Sequence, residues 1–417
     1  MAHENVGGLR AWLATEGGVL HSALALTTGD DERGLVTHSD LEEGTVLVAV
    51  PSRHLLTAGA AKARGLPASL AEEDLVALLL LSEFSAASPR ALWVAALPTR
   101  FDVPLMWQPE TDQATLCCPS LGARAAAQRA EVAERFEGVL SALPDDHPLR
   151  ADLTLARFQW AVACLESRGV HLTDPYLGAQ QWAVVPVGDM LNHAPEAASN
   201  VVAGYDSDAG IYSFSTSRRV AAGEQLWLCY GPHDDATLLL SYGFVLGPRV
   251  NPHARVHAPA AAVGALAAAE DTDAEWLESN GLDEGEHALT PLGPSWSLLG
   301  ALRLAHSSAG EREAGAAFSI LEGGAVSAEG ELRVWQAVLD LARTLRDTTW
   351  RAGADDERGG ADPAISGAGH EARRRLGQQW AAAQRDVLTA CIDATEKQLL
   401  ELQAEPRVAS GGGKRRR

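Results

Sequence analysis

The sequence predicts an α+β protein in which short strands and helices occupy separate segments of the chain. Strand patterns lie at residues 33–51 and return at 182–247. Between these two segments Ala, Leu and Glu dominate, and apolar residues recur at helical spacing. Beyond residue 250 the pattern is again mostly helical. The strands of one layer are therefore expected to come from two distant parts of the chain.

The first segment, residues 1–54, is predicted to hold one helix and two strands. The helix covers Val6–Ala14, and the first strand is Leu35–Val36. A longer apolar run, Val46–Val50, forms the second strand. Pro51 stops it, because proline has no N–H to donate to a neighbouring strand.

The second segment, residues 55–181, is predicted to be a helical insertion. Leu75, Leu78 and Leu79 are spaced like one face of a helix, and a long helical run covers Ala123–Leu143. Prolines punctuate the segment and mark the breaks between helices.

The third segment, residues 182–247, returns to short strands. Asn200–Ala203 and Ile211–Ser215 are predicted to pair as a hairpin, and Gln225–Cys229 forms a further strand. A short helix begins near Ala236, with Asp235 as its expected cap.

The last segments are a helical domain at residues 250–405 and a basic tail at 406–417, which we expect to be disordered. A Gly/Asp/Ala-rich stretch, Ala352–Gly369, is predicted to be a loop within that domain. The clearest helical runs are Trp296–Ala305, Leu332–Thr348 and Ala372–Leu402.

Charge and cysteine content limit the classes of partner. The chain has 34 Lys and Arg against 55 Asp and Glu, a formal net charge of −21. Such a surface repels nucleic acid and attracts basic protein segments, although solubility alone also explains it. The five cysteines lack CxxC spacing, which argues against a zinc site or disulfide framework and favours a reducing compartment. We expect no metal, no membrane partner and a monomer.

Polar residues cluster at the ends of the predicted strands in the third segment. Asp189, Asn192 and His193 follow an apolar run, Tyr230 closes the strand Gln225–Cys229, and Tyr242 closes a short helix-like run after that strand. Both tyrosines precede a glycine. Polar groups gathered at strand ends indicate a site rather than a core.

This order of motifs resembles the C-terminal half of the SET methyltransferase domain, in the branch of the Rubisco large-subunit lysine methyltransferases. The resemblance implies a split SET fold of short strands, with residues 55–181 as its helical insertion and 250–405 as a helical substrate-binding domain. It also implies that S-adenosylmethionine is the cofactor and that a non-histone protein lysine is methylated. A non-catalytic SET-like interaction module and a protein-histidine methyltransferase are the alternatives.

Methyl transfer to lysine sets specific demands on the site. The free lysine side chain has a pKa of about 10.4, so its neutral form is scarce near pH 7. A narrow apolar channel disfavours the charged form and orients the amine. Tyrosine suits such a channel, because its ring forms a wall and its hydroxyl makes hydrogen bonds. The resemblance assigns Tyr242 and Tyr230 to this catalytic channel.

The resemblance also implies a set of cofactor contacts. The Asn-His pair holds the adenine and amino end of the cofactor, and the Ser-Arg pair places a guanidinium near its carboxylate. A Gly-x-Gly turn of the family is only half kept, since Glu32 replaces its first glycine. Asp189 either orients its own loop or faces the incoming cation. The implied cofactor-binding residues are Asp31, Arg33, Gly34, Ser167, Arg168, Asp189, Asn192, His193 and Tyr230.

Three positions bear on which side chain is methylated: Val170, Gly188 and Asp189. A histidine-directed relative has Asn in the place of Val170 and Trp in the place of Gly188. An apolar pocket fits the aliphatic stem of lysine better, so lysine is predicted. The expected compartment is the cytoplasm or nucleus, or a plastid if a transit peptide precedes this chain.

Overall fold

A computed structural model of the protein describes most of the chain. The residues described are 2–27, 33–85, 87–101, 103–106, 119–173, 180–258, 287–308, 310, 320, 323–325, 327–356 and 368–404. They divide into two compact units, one of residues 1–109 and 123–244 and the other of residues 110–122 and 245–417. Asp31 and the basic tail 406–417 lie outside the described residues.

The described residues form an α+β structure. The strands are β1 (Val19–Leu20), β2 (Leu24–Leu26), β3 (Leu35–Thr37), β4 (Val46–Pro51), β5 (Leu56–Thr57), β6 (Gly169–Thr173), β7 (Gln180–Val184), β8 (Asn192–His193), β9 (Val201–Asp206), β10 (Ile211–Thr216), β11 (Trp227–Leu228), β12 (Val256–His257), β13 (Ala288–Thr290) and β14 (Gly293–Pro294). The helices are α1 (Ala2–Thr15), α2 (Ala58–Ala63), α3 (Glu72–Ser82), α4 (Ala91–Val94), α5 (Pro119–Ala142), α6 (Leu155–Arg168), α7 (Asp235–Thr237), α8 (Trp296–Ala305), α9 (Ala328–Asp356) and α10 (Ala368–Ala404). None of these helices is long and apolar enough to cross a membrane.

The largest sheet joins strands from both ends of the first unit, in the order β1-β4-β10-β9-β11-β8. The pairs from β1 to β9 are antiparallel, whereas β11 runs parallel to both β9 and β8. Along β10, Tyr212, Phe214 and Thr216 are buried and the residues between them are less so, as expected for a strand with one face on a core. The hairpin of β9 and β10 is thereby confirmed.

Two further sheets complete the strands of the first unit. β2 pairs with β3, and β5, β7 and β6 form a sheet in that order. An isolated bridge between Val36 and Gln225, with the Leu226 N–H donating to the Leu35 carbonyl at 2.8 Å, ties β3 to the chain before β11. The long separation in sequence between these partners is closed by backbone pairing.

Helix α3 lies at the centre of the first unit. Every side chain from Leu75 to Leu81 is buried, so this helix is apolar on all sides, as expected for a helix surrounded by protein. Helix α6 packs beside it and buries Phe158, Ala161 and Cys164. The C-terminal end of α6 carries Ser167 and Arg168 to the edge of this core.

The second unit is mainly helical, with α9 and α10 packed together around Val338, Ala342, Val387 and Leu388. It also contains a small antiparallel sheet, β12-β13-β14, that the sequence pattern did not predict, because each strand has only two or three residues. The predicted loop Ala352–Gly369 is wrong at both ends. Helix α9 continues to Asp356 and α10 begins at Ala368, and residues 357–367 lie outside the described residues.

Candidate active site

Two cavities in the first unit share one wall. The larger has a volume of about 620 Å³ and the smaller about 150 Å³. The wall comes from four places: the end of α6, the turn before β8, the segment just after β11 and the helical turn that follows α7. The residues lining both cavities are Ser167, Arg168, Asp189, Tyr230 and Tyr242. A group bound in one cavity can therefore meet a group bound in the other beside the two tyrosines.

The two tyrosines stack on each other. Their ring centroids are 5.1 Å apart and the ring planes are inclined by 29°. The Tyr230 hydroxyl donates to the carbonyl of Leu191, and the Tyr242 hydroxyl lies 3.4 Å from Nε2 of His233. Burial raises the pKa of both phenols, and the nearby charge of Glu166 contributes to raising that of Tyr242 to about 12. Both hydroxyls therefore keep their protons at neutral pH.

Local backbone structure fixes Tyr242. The predicted cap Asp235 is wrong: the Asp234 side chain accepts from the Thr237 N–H at 2.8 Å and caps α7, while Asp235 is buried inside the helix. The helix then widens into a π turn, Leu238–Tyr242, a feature often found at functional sites. It ends at Gly243, whose φ of 82° suits glycine.

Asp189 is held by a cation and an indole. Arg168 donates to both its backbone carbonyl, at 2.7 Å, and its carboxylate, at 3.1 Å. Nε1 of the fully buried Trp93 donates to the same carboxylate at 2.9 Å. The carboxylate, whose side chain is only 1% exposed, is thus fully engaged by the protein. Of the two readings of Asp189, this arrangement supports the one in which it orients its loop.

The backbone just before Asp189 is strained. Val187 is buried and has a φ of 73°, an uncommon value for a β-branched residue, and it is the one non-glycine residue with positive φ among those described. Such conformations persist only where the surroundings impose them and are often found at functional sites. The contacts of Arg168 and Trp93 with Asp189 hold the backbone just after Val187 and so supply that constraint.

The smaller cavity offers two guanidinium groups. Arg33 and Arg168 both line it. Burial lowers the pKa of Arg33, and the positive charge of Arg168 lowers it further. Nε of Arg168 is buried with no hydrogen-bond partner. Two cations and an unsatisfied donor at one place suit an anionic group such as a carboxylate.

Gly34 and Asn192 meet, although 158 residues separate them in the sequence. A Cβ on Gly34 would lie 2.6 Å from Nδ2 of Asn192 and 2.5 Å from Nε2 of Gln225, so a larger residue would displace those side chains. Asn192 lines the smaller cavity, whereas Gly34 is not part of its lining. Gly34 therefore gives room to the side chain of Asn192.

His193 lines neither cavity and lies behind Tyr230. Its ring packs against the Tyr230 ring, with centroids 5.1 Å apart and planes inclined by 44°, and its Nδ1 accepts from the Tyr230 N–H at 3.1 Å. Burial, followed by the charge of His233, lowers the pKa of His193 to about 4. A neutral imidazole at this position supports Tyr230 from behind.

The larger cavity contains the three predicted substrate positions Val170, Gly188 and Asp189. A Cβ on Gly188 would lie 2.1 Å from the ring of Phe214, so Phe214 occupies the space next to this glycine. Ser167, which lines both cavities, turns its hydroxyl back to the Ala163 carbonyl at 2.7 Å.

Several residues of the site escaped prediction. Trp93, Phe101 and Phe214 contact the Arg168–Asp189 pair or the cavity walls, but they lie in ordinary apolar patterns with no motif around them. Glu166 also lines the larger cavity, and its place in the site could have been predicted from the sequence, because it directly precedes the Ser-Arg pair. Asp31 lies outside the described residues, so its predicted contact stays a prediction.

Sequence comparison finds relatives among SET-domain proteins. The human SET domain-containing protein 4 is 31% identical over 295 residues, which cover 65% of this chain and 66% of that protein. The ribosomal lysine N-methyltransferase set11 of Schizosaccharomyces pombe is 23% identical over 252 residues, covering 60% of this chain and 63% of that protein. The chain thus spans just under two thirds of the length of these relatives. No protein-family model matches it.

Structural comparison identifies the same fold. A crystal structure of the SET domain of LSMT, bound to lysine and AdoHcy, superimposes with a TM-score of 0.70. The match covers 96% of this chain and 92% of that chain, at 20% identity. The fold is therefore shared over nearly the whole length, beyond the region that the sequences align.

Proposed function

We propose that this chain, whose sequence relatives are SET-domain proteins and whose fold is that of the SET domain of LSMT, transfers a methyl group to lysine on a protein. The observation that carries the proposal is the shared wall of the two cavities, where the stacked Tyr230 and Tyr242 lie between the smaller cavity, with its two guanidinium groups, and the larger one. In-line methyl transfer needs the methyl donor and the accepting amine to face each other from two such spaces.

The smaller cavity would take the amino-acid end of S-adenosylmethionine, which when bound supplies an electrophilic methyl group. Arg33 and Arg168 would hold its carboxylate, and the unpaired Nε of Arg168 gives that contact a donor. Asn192, placed against Gly34, would bind the polar end of the cofactor. Asp189 keeps Arg168 in position through its ion pair.

The larger cavity fits the stem of a lysine side chain. Apolar and aromatic groups such as Val170, Phe214 and Leu228 form much of its wall. Removing water from the ammonium disfavours its charged form. The protonated hydroxyl of Tyr242 can then orient the amine lone pair towards the methyl group.

Lysine is favoured over histidine by the packing around Gly188. The ring of Phe214 fills the position that a side chain at residue 188 would take. The cavity therefore keeps a smooth apolar wall at this point, with no polar group from residue 188 to bind an imidazole nitrogen. An unbranched aliphatic stem fits such a wall by apolar contact alone.

The expected partner is a lysine-bearing segment of a non-histone protein, bound by a monomer. A net charge of −21 favours basic protein segments and disfavours nucleic acid. The described cysteines Cys164, Cys229 and Cys391 are free, which fits the reducing cytoplasm or nucleus. A plastid location stays compatible with the same observation.

The first experiment measures turnover in Tyr242→Phe. Wild-type protein and tritiated S-adenosylmethionine, incubated with cell lysate, should label lysine in one or a few proteins identified by mass spectrometry. The variant should label them about 10²-fold more slowly, the scale of losing one positioned hydrogen-bonding group at a reacting centre. Its cofactor affinity by calorimetry should stay within about threefold, since apolar ring contacts are kept.

Tyr205→Phe is the matched control, because Tyr205 lies on β9 and its side chain is exposed. Undiminished labelling by Tyr242→Phe would refute the role of that hydroxyl, and methylhistidine in the product would refute the lysine assignment. A wild-type protein that binds no cofactor at millimolar concentration would instead favour the non-catalytic module.

A further inference from the structure

Glu166 is a half-buried acid, and no cationic side chain among the described residues forms an ion pair with it. It lies near the end of α6, directly before Ser167 and Arg168, and its side chain lines the larger cavity. Its Oε2 accepts from Nε2 of Gln128 at 2.8 Å. Within the described ranges, no Arg, Lys or His nitrogen forms an ion pair with this carboxylate.

The charged groups around Glu166 are engaged elsewhere. On α5, Arg135 binds the carboxylate of Asp74 at 2.7 Å, and Glu131 adds a like charge. On its own helix, Arg168 is paired with Asp189. The remaining neighbours with titratable groups are Cys164 on α6, Tyr242 on the π turn, and His171 and His233 in the cavity wall.

The electrostatic balance follows from these contacts. Burial raises the pKa of Glu166 to about 7, and the charge of Glu131 acts in the same direction. Arg135 and the Gln128 hydrogen bond oppose the shift without cancelling it. The carboxyl group therefore exchanges its proton in the neutral range, where an ordinary glutamate is fully ionised.

We propose that Glu166 is a catalytic base that takes the proton which a lysine ammonium must lose before it accepts the methyl group. This inference rests on the proposed function. The N–H bond breaks, its electron pair stays on nitrogen, and the proton moves to the Glu166 carboxylate, directly or through one water. The nitrogen lone pair then forms the new N–C bond while the C–S bond electrons go to sulfur. One proton is left on Glu166 per turnover.

A third cavity offers that proton a way out. A space of about 320 Å³ is lined by Gln128, the residue bonded to Glu166, and by the exposed Glu131. Thr237 and Ser241 line both this space and the larger cavity. Glu166 thus lines the substrate cavity and is hydrogen-bonded to Gln128, which lines a cavity whose wall includes the exposed Glu131. A proton-accepting group needs such a connection to solvent.

The test uses free L-lysine as the probe and the complex with S-adenosylhomocysteine. Calorimetry between pH 6 and pH 8 should show wild-type lysine affinity rising about 10-fold, because Glu166 ionises in this window. Any ionisation of the probe itself is common to all the proteins compared. Glu166→Gln should lose this rise. Glu137→Gln removes the same charge from an exposed site on α5 that lines none of these cavities, and should keep it. Histidine contributions cancel, since His171 and His233 are present in all three proteins.

Transfer of tritium to free lysine gives the second readout. Glu166→Gln should be about 10²-fold slower than wild type at pH 7.5, with the ratio shrinking towards pH 10 as neutral lysine becomes abundant. Glu166→Asp should restore the dependence on pH at a lower rate, whereas a structural role would leave the profile unmoved.

The outcomes are distinct. A slope in Glu166→Gln equal to that of wild type, or a rate ratio constant over all pH values, overturns the role of Glu166 alone. A wild-type protein that binds neither S-adenosylhomocysteine nor lysine overturns the proposed function and this inference with it.

Discussion

Asp189 and Glu166 are two carboxylates in the wall of one cavity, and they have opposite surroundings. Asp189 has an Arg168 guanidinium at 3.1 Å and the Trp93 indole at 2.9 Å. Glu166 has the neutral amide of Gln128 at 2.8 Å and no ion pair among the described residues. The first is a fixed charge that orders a loop, and the second is a group whose charge changes with pH. The comparison teaches that burial alone does not decide the role of an acid, and that its partner does.

The largest effect should come from removing the partner of Asp189. Arg168→Met leaves a buried carboxylate without its cation, which we expect to lower the free energy of unfolding by about 3–5 kcal/mol at pH 7.5. Urea denaturation measures it. Arg157→Met, at the other end of α6, removes a bond to the exposed Asp152 carbonyl and should cost less than about 1 kcal/mol. If the two variants lost the same free energy of unfolding, Arg168 would not be a specific partner of Asp189, and the difference drawn between Asp189 and Glu166 would be wrong.

A change in the opposite direction is expected at Glu166. Its pKa of about 7 lies above the ordinary 4.5, so the folded state holds this proton more tightly than the unfolded state. Its contribution to stability is therefore complete below about pH 4.5 and is lost as the pH rises through 7. Glu166→Gln should match wild type near pH 4.5 and exceed it by up to about 3 kcal/mol at pH 8.

Urea denaturation of both proteins at several pH values measures this difference. Glu137→Gln, at an exposed side chain of α5, should stay within about 0.5 kcal/mol of wild type throughout. If Glu166→Gln were less stable than wild type at pH 8, the charged Glu166 carboxylate would be stabilised by its surroundings, as Asp189 is.

A smaller effect tests whether packing, besides charge, holds the Asp189 turn. In Gly188→Ala the new Cβ would lie 2.1 Å from the Phe214 ring, so one of them must move, at a cost of about 1–3 kcal/mol. Gly204→Ala on β9 meets nothing within 4 Å and is the matched control. Thermal unfolding compares the midpoint temperatures of the two variants. If Gly188→Ala is as stable as the control, the packing against Phe214 does not hold the turn, and the ion pair of Asp189 does.

Sequence patterns located most of the secondary structure because they are local. The predicted helices of α3, α5 and α8 and the hairpin of β9 and β10 are confirmed, since periodicity of 3.6 or 2 residues reports which face is buried. The strand predicted at Gln225–Cys229 is shorter, only Trp227–Leu228. The small sheet of the second unit left no readable period, because its strands are too short.

The sequence by itself indicated the resemblance to a SET domain, most of the longer helices and strands and the motif residues, because periodicity and turn chemistry are local properties of the chain. Tertiary structure alone decided which of those residues meet. It placed His193 behind Tyr230 rather than in a cavity, and it gave Asp189 a partner in Trp93, 96 residues away. It also left Glu166 beside a neutral amide. Burial and charge pairing depend on neighbours distant in sequence, so the chemistry of an acid is settled only when the chain has folded.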